Sequence, residues 1–208
     1  MKKIISGLAQ FKSSSFEERE ALFAELANGQ SPEVLFITCA DSRIDPNLIT
    51  QTEPGDLFVI RNAGNIVPPH TRDADGVTAS IEYAVAVLGI KHVVVCGHSD
   101  CGAMKGALNT AALSDLPHVQ DWLDHSRAAV ETVKAKHGQA TISELDAVTK
   151  QNVELQLNHL RTHPAVSAKM STGDVELHGW VYNIGEGTVE AFDESKGAFV
   201  SVQERYTA

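Results

Sequence analysis

Three strand-length runs are apolar at consecutive positions: Val34-Leu35-Phe36-Ile37-Thr38-Cys39, Leu57-Phe58-Val59-Ile60-Arg61 and His92-Val93-Val94-Val95-Cys96-Gly97. Successive side chains of a strand point to opposite faces, so such runs need cover on both sides. The interior strands of a parallel sheet meet that condition. Between the second and third runs, Ile81, Ala84, Val85 and Leu88 recur at helical spacing over Thr78–Leu88, and Gly89 follows as a stop. Strand, helix, strand is the unit of an α/β fold, and it predicts a mostly parallel central β-sheet flanked by helices.

The flanking segments extend this pattern. Residues 1–29 read as a helical arm in two pieces, parted by Ser13, Ser14 and Ser15, with Phe16–Ala27 as the second piece and Asn28-Gly29 closing it. Residues 118–137 and 143–162 read as longer helices, the latter capped by Ser143 with Asp146 three positions on. Val175–Ile184 and Thr188–Phe192 around Gly185-Glu186-Gly187 read as a C-terminal β-hairpin and edge strand. With no repeat or linker, and 208 residues to build one core, a single domain over 1–208 is expected.

The formal net charge of −10 argues against nucleic acid and against anionic membranes as partners. No apolar run approaches the ~20 residues that span a bilayer. Met1–Ile5 faintly imitates a leader, but Ser6, Gln10 and Lys12 interrupt it. An amphipathic helix with Ile4, Ile5, Leu8 and Phe11 on one side fits better, and a cytoplasmic location is expected.

Three cysteines, Cys39, Cys96 and Cys101, do not make a disulfide framework. Cys96 lies inside the third run and reads as core. Cys39 ends the first run, and His98-Ser99-Asp100-Cys101 ends the third, about 60 residues later. Parallel strands present their carboxyl ends along one edge, so Cys39, His98 and Cys101 can meet there. Two thiolates and one imidazole suit Zn2+, one per chain, with a fourth position left open as in catalytic sites. Cys101 also opens a helix expected over Cys101–Leu108, whose N-terminus favours the thiolate.

Asp41 and Arg43 follow Cys39 at alternate positions. If the strand stays extended, all three side chains share a face, and Arg43 keeps Asp41 ionised. An ionised carboxylate only accepts hydrogen bonds, so Asp41 can orient a metal-bound hydroxide and select it over water. In a competing arrangement Asp41 leaves Arg43 and becomes the fourth ligand, closing the site. Zinc with two thiolates and a neutral imidazole sums to zero charge. A three-histidine site carries +2 and brings its water to about pKa 7, so activity here is expected to rise into alkaline pH. The other histidines, His70, His92, His118, His125, His137, His159, His163 and His178, read as surface or packing groups.

At these residues the chain resembles the β class of carbonic anhydrases. Cys39-Ala40-Asp41-Ser42-Arg43 and His98-Ser99-Asp100-Cys101-Gly102 are similar to its two signatures, and the likeness runs on through Gly55–Asn65, Ile81–Ala84 and Leu177–Trp180. The resemblance implies zinc-dependent interconversion of carbon dioxide and bicarbonate by a homodimer, or a tetramer or octamer built from dimers. It implies that the 1–29 arm packs on a partner subunit. Gln30 is implied to place substrate, usually from the partner chain, and Phe58, Ala63, Tyr83 and Gly102 to line a narrow apolar pocket. Some members carry an inhibitory bicarbonate site with Trp and Gly where this chain has Phe36 and Thr38, although Arg61 and Tyr182 match. That departure implies the always-open subtype. A carbon disulfide hydrolase on the same scaffold and a zinc-stabilised binding module are the rival readings.

Overall fold

The structure is a computed structural model that describes residues 1–73 and 75–207. The chain divides into two compact units, Met1–Ser31 and Pro32–Ala208. The first holds α1 (Lys2–Gln10) and α2 (Glu20–Leu26). The serines do not break the helical path: Phe11–Ser15 continues it as one wide π turn. The hydroxyls of Ser13 and Ser14 bond back to the Gln10 carbonyl, so they satisfy the backbone where a break was expected. Phe11, Phe16 and Phe23 pack ring against ring, while Ile4, Ile5 and Leu8 of α1 remain exposed.

The second unit is built on a six-stranded sheet in the order β2-β1-β3-β4-β5-β6. Its strands are β1 (Val34–Cys39), β2 (Leu57–Asn62), β3 (His92–His98), β4 (Glu176–Asn183), β5 (Thr188–Asp193) and β6 (Ala198–Ser201). The first four are parallel and the last two antiparallel. The three apolar runs are β1, β2 and β3, side by side, and the expected hairpin is β4–β5. β6 was not anticipated, because its four residues are too few to show a period.

The helices of this unit are α3 (Pro46–Thr50), α4 (Gly76–Glu82), α5 (Gly102–Leu108), α6 (Pro117–Leu123), α7 (Arg127–His137), α8 (Leu145–Thr162), α9 (Pro164–Ser171) and α10 (Val202–Tyr206). The α4 path runs on through a π turn at Tyr83–Val87 to Gly89, which takes a positive φ as a stop requires. The cap before α8 differs from expectation. Thr141, not Ser143, exchanges bonds with Glu144 in a capping box, since a Thr three residues before a Glu satisfies two backbone groups at once. Among the described residues, no helix is long and apolar enough to cross a membrane.

One sheet face carries the main core. Leu35, Ile37, Val93 and Val95 pack against Ile81 of α4, Val153, Leu157 and Leu160 of α8, and Val166 of α9. Truncating one of these leucines to Ala costs about 2–5 kcal/mol. The opposite face has a smaller cluster of Phe36, Val94 and Cys96 under Trp180 and Tyr182, so Cys96 is core as expected. Its burial pushes the thiol up to about 12. α8 sits very close to the sheet. A Cβ added at Gly179 would lie 2.9 Å from both Leu157 Cδ1 and Val153 Cγ1, and one at Gly97 would lie 3.0 Å from Val153 Cγ2. Those two glycines let α8 reach the carboxyl edge of the strands.

Candidate metal centre

β1 and β3 end side by side and deliver Cys39 and His98 to one edge of the sheet. Cys101 follows three residues beyond His98 as the residue preceding α5, with extended backbone at φ −65°, ψ 120°. Helix begins at Gly102, one residue later than expected. The two sulfurs and one His98 ring nitrogen lie within 4.8 Å of one another, and all three residues are buried.

The orientation of His98 is fixed. Its Nδ1–H donates to the Ser99 carbonyl at 2.9 Å, which leaves Nε2 as a bare lone pair. That Nε2 is buried without a hydrogen-bond partner. A buried orphan nitrogen is costly unless something accepts its lone pair, and a cation between it and two thiols does so. Ser99 is itself held by β4, through its N–H to the Tyr182 carbonyl at 2.9 Å and its Oγ accepting from the Ile184 N–H at 3.0 Å. The trio is therefore consistent with a zinc site by donor type, burial and ring orientation.

The two sulfurs share one proton. A hydrogen bond from Cys101 draws the Cys39 thiol well below the ordinary thiol range, helped by the Gly64 amide, whose N–H lies 3.4 Å from Cys39 Sγ. Cys101 is pushed up, first by that bond to Cys39 and then by burial. The amides of Ala103 and Met104 pull it down, as the helix start was expected to do, but the shared proton outweighs them. A bound cation displaces that proton.

Asp41 and Arg43 do meet, though not by an extended strand. β1 stops at Cys39 and the chain turns at Ser42-Arg43. The Arg43 N–H bonds Asp41 Oδ1 at 3.0 Å, and the Ile44 N–H bonds the Asp41 carbonyl at 3.1 Å. Such an Asx turn closes two backbone bonds that an extended path would leave open. The guanidinium then takes the carboxylate with both edges, Nε to Oδ1 at 2.9 Å and Nη2 to Oδ2 at 2.8 Å. It holds the Asp41 carboxyl well below the usual carboxylate range. Asp41 Oδ2 lies 3.9 Å from His98 Nε2.

Sequence reasoning missed several supports. Asp100 takes Arg43 Nη1 on Oδ2 at 3.0 Å, takes Nη2 on its carbonyl at 3.2 Å, and pairs with Lys105. Its backbone is left-handed at φ 58°, which Asp tolerates better than most residues. Arg61 donates to the Cys39 carbonyl at 3.1 Å and to the Asp41 carbonyl at 2.7 Å. From α8, Asn152 donates to the Gly64 carbonyl at 3.1 Å, and Gln156 bonds both Asn152 and the Val67 N–H. Gly64 itself has φ 85°, where a side chain is strained. The available signal was a pair of amides, four residues apart, inside the apolar stripe of α8.

The expected pocket residues do not assemble in one chain. Ala63 and Gly102 adjoin Gly64 and Cys101, and both are exposed. Phe58 instead pairs in register with Leu35, four residues before Asn62, which pairs with Cys39. At ~3.3 Å per residue that is about 13 Å back along the strand. Phe58 packs on the Tyr83 ring at 6.1 Å between centroids, and Tyr83 is 44% exposed. Gln30 is exposed in the N-terminal unit.

Comparison with known proteins decides the family. The carbonic anhydrase family model matches residues 34–189. The chain belongs to the β-carbonic anhydrase family. It is 49% identical to a carbonic anhydrase of Pseudomonas aeruginosa over 98% of this chain and 93% of that protein. It is 46% identical to one of Synechocystis over 100% of this chain and 77% of that protein. Its fold superposes on the β-carbonic anhydrase CcaA with a TM-score of 0.94 at 45% identity, covering 97% of this chain and 98% of that one. One of two tetrameric β-carbonic anhydrases from Sordaria macrospora matches with a TM-score of 0.82 at 31% identity, over 96% of this chain and 98% of that one. Membership gives the chain the family's enzymatic class and supports carbon dioxide hydration.

Proposed function

We propose that this chain catalyses the zinc-dependent, reversible hydration of carbon dioxide to bicarbonate and a proton, with Cys39, His98 and Cys101 as the metal ligands. The observation that carries this reading is the two-edged Asp41–Arg43 pair. With its carboxylate committed to Arg43, Asp41 is not available as a fourth ligand, so a position beside His98 Nε2 stays open to water. Held by Cys39, His98 and Cys101, a zinc ion would supply Lewis-acid activation, lowering the pKa of a water molecule so that a nucleophile becomes available at mildly alkaline pH.

The chain's own groups do the rest. Asp41 accepts the single proton of the attacking oxygen and so aims its free lone pair at the substrate carbon. Arg43 is a positioning residue that keeps Asp41 ionised, and Asp100 and Lys105 fix Arg43 in turn. Ala63 and Gly102 stand next to the ligands. Phe58 and Tyr83 lie too far along the sheet to line the same site in one chain, and we assign them, with Gln30, to the site of a second copy. Two features support a homodimer, or a tetramer or octamer of dimers. Ile4, Ile5 and Leu8 of the arm are left exposed, and the similar Sordaria structures are tetrameric.

Stopped-flow hydration of carbon dioxide tests this directly. The zinc-loaded protein should turn over, lose activity on removal of the metal by a chelator, and recover on adding zinc back. Full zinc occupancy with no hydration would overturn the reading.

A further inference from the structure

Among the described residues, one other group brings three metal-ligating side chains together: His92, Glu176 and His178, with ligand atoms all within 4.8 Å. It lies at the opposite ends of the strands from Cys39 and Cys101. His92 and Glu176 are the first residues of β3 and β4 and pair in register, and His178 is two residues further along β4 on the same face. Six residues of β3 separate His92 from His98, about 20 Å at ~3.3 Å per residue.

We propose that His92, Glu176 and His178 form a second site, for a divalent transition ion such as Zn2+, bound by two imidazole nitrogens and one carboxylate. His92 Nδ1 and His178 Nε2 face each other at 3.1 Å. Two nitrogens bound tetrahedrally to one zinc at ~2.0–2.1 Å would sit about 3.3 Å apart. Glu176 Oε2 is 3.9 Å from each of those nitrogens, and the Glu176 side chain is 58% exposed, free to close the remaining half ångström or so. Water completes the coordination from the solvent side, where His92 is 45% exposed.

The ring of His178 is oriented from behind. Its Nδ1 lies 2.9 Å from the Tyr206 hydroxyl, which also receives the Trp180 Nε1–H at 3.0 Å. With Nδ1–H donating to Tyr206, Nε2 carries the lone pair and points at His92 and Glu176. This is the support that orienting partners give to ligating histidines. Neutral imidazole and carboxylate favour zinc, nickel or copper over calcium or magnesium. The inference stands independently of the proposed activity.

Isothermal titration of the zinc-loaded enzyme with Zn2+ tests it. One additional equivalent per chain is expected, weakened about tenfold or more in both His92→Gln and Glu176→Gln, and about tenfold in Tyr206→Phe. His70→Gln, an exposed histidine outside the group, should bind like the parent. His92 is half-buried and Glu176 exposed, neither belongs to the core, and circular dichroism should show both variants folded. No additional equivalent in the parent, or an equivalent retained in His92→Gln and Glu176→Gln, would overturn the proposal.

Discussion

The two ends of β3 both carry a histidine, yet they differ in what surrounds it. At the carboxyl end His98 is fully buried, its Nε2 has no hydrogen-bond partner, and two thiols flank it. At the amino end His92 is 45% exposed, and its Nδ1 already meets another imidazole. A buried donor set with no alternative partner pays for desolvation in advance and binds a cation tightly. An exposed set can return to water or to its neighbour, so its hold on an ion is weaker and reversible. Identical residue types on one strand thus make different sites because burial and orientation differ.

The largest effect that sharpens this contrast is Cys39→Ser. It should abolish Zn2+ binding at the proposed Cys39, His98 and Cys101 site and lower hydration by several orders of magnitude, while leaving Zn2+ binding at the proposed His92 and His178 site intact. Metal analysis by mass spectrometry with the hydration assay checks it. Retention of metal and activity would erase the distinction between the two ends.

Asp41→Asn comes next. The amide keeps the shape but cannot act as a pure acceptor, so zinc should stay while turnover falls about 10²–10³-fold. Unchanged turnover would remove Asp41 from the chemistry.

The smallest effect is in the pH profile. Asp41 is depressed below the carboxylate range by Arg43, so it is ionised throughout and contributes no step near neutrality. The stability from its pairing is present above the ordinary carboxylate pKa and is lost only as pH falls through the depressed one. A rise in hydration by several-fold from about pH 7 to about pH 9 must then come from the bound water of a neutral site. A flat or falling rate with metal retained would break that account.

Much of the fold was legible because its signals are local. Val34–Cys39 and His92–Gly97 are buried on both faces, and a continuous apolar run states that directly, whereas Leu57–Arg61 is the edge strand, with Val59 exposed despite an equally apolar run. The short pieces α3, α9 and β6 were not legible, since four to eight residues carry no reliable period. The ligand trio could be read because strand ends in a parallel sheet share an edge. The Asp41–Arg43 pairing could be read, but its cause could not, because an alternating spacing looks the same in an extended strand and in an Asx turn.

The sequence by itself determined the sheet, the strand ends that carry Cys39, His98 and Cys101, and the chemistry those donors favour, because each depends on residue type and short-range spacing. Only the tertiary structure decided that Nε2 of His98 faces the sulfurs, that Asp41 turns to Arg43, that Asp100 and Asn152 hold the loops, and that Phe58 lies far from the ligands of its own chain. The contacts of Asp100 and Asn152 join side chains tens of residues apart, which packing alone brings together, and the settings of His98 and Asp41 turn on local backbone geometry that residue spacing does not state.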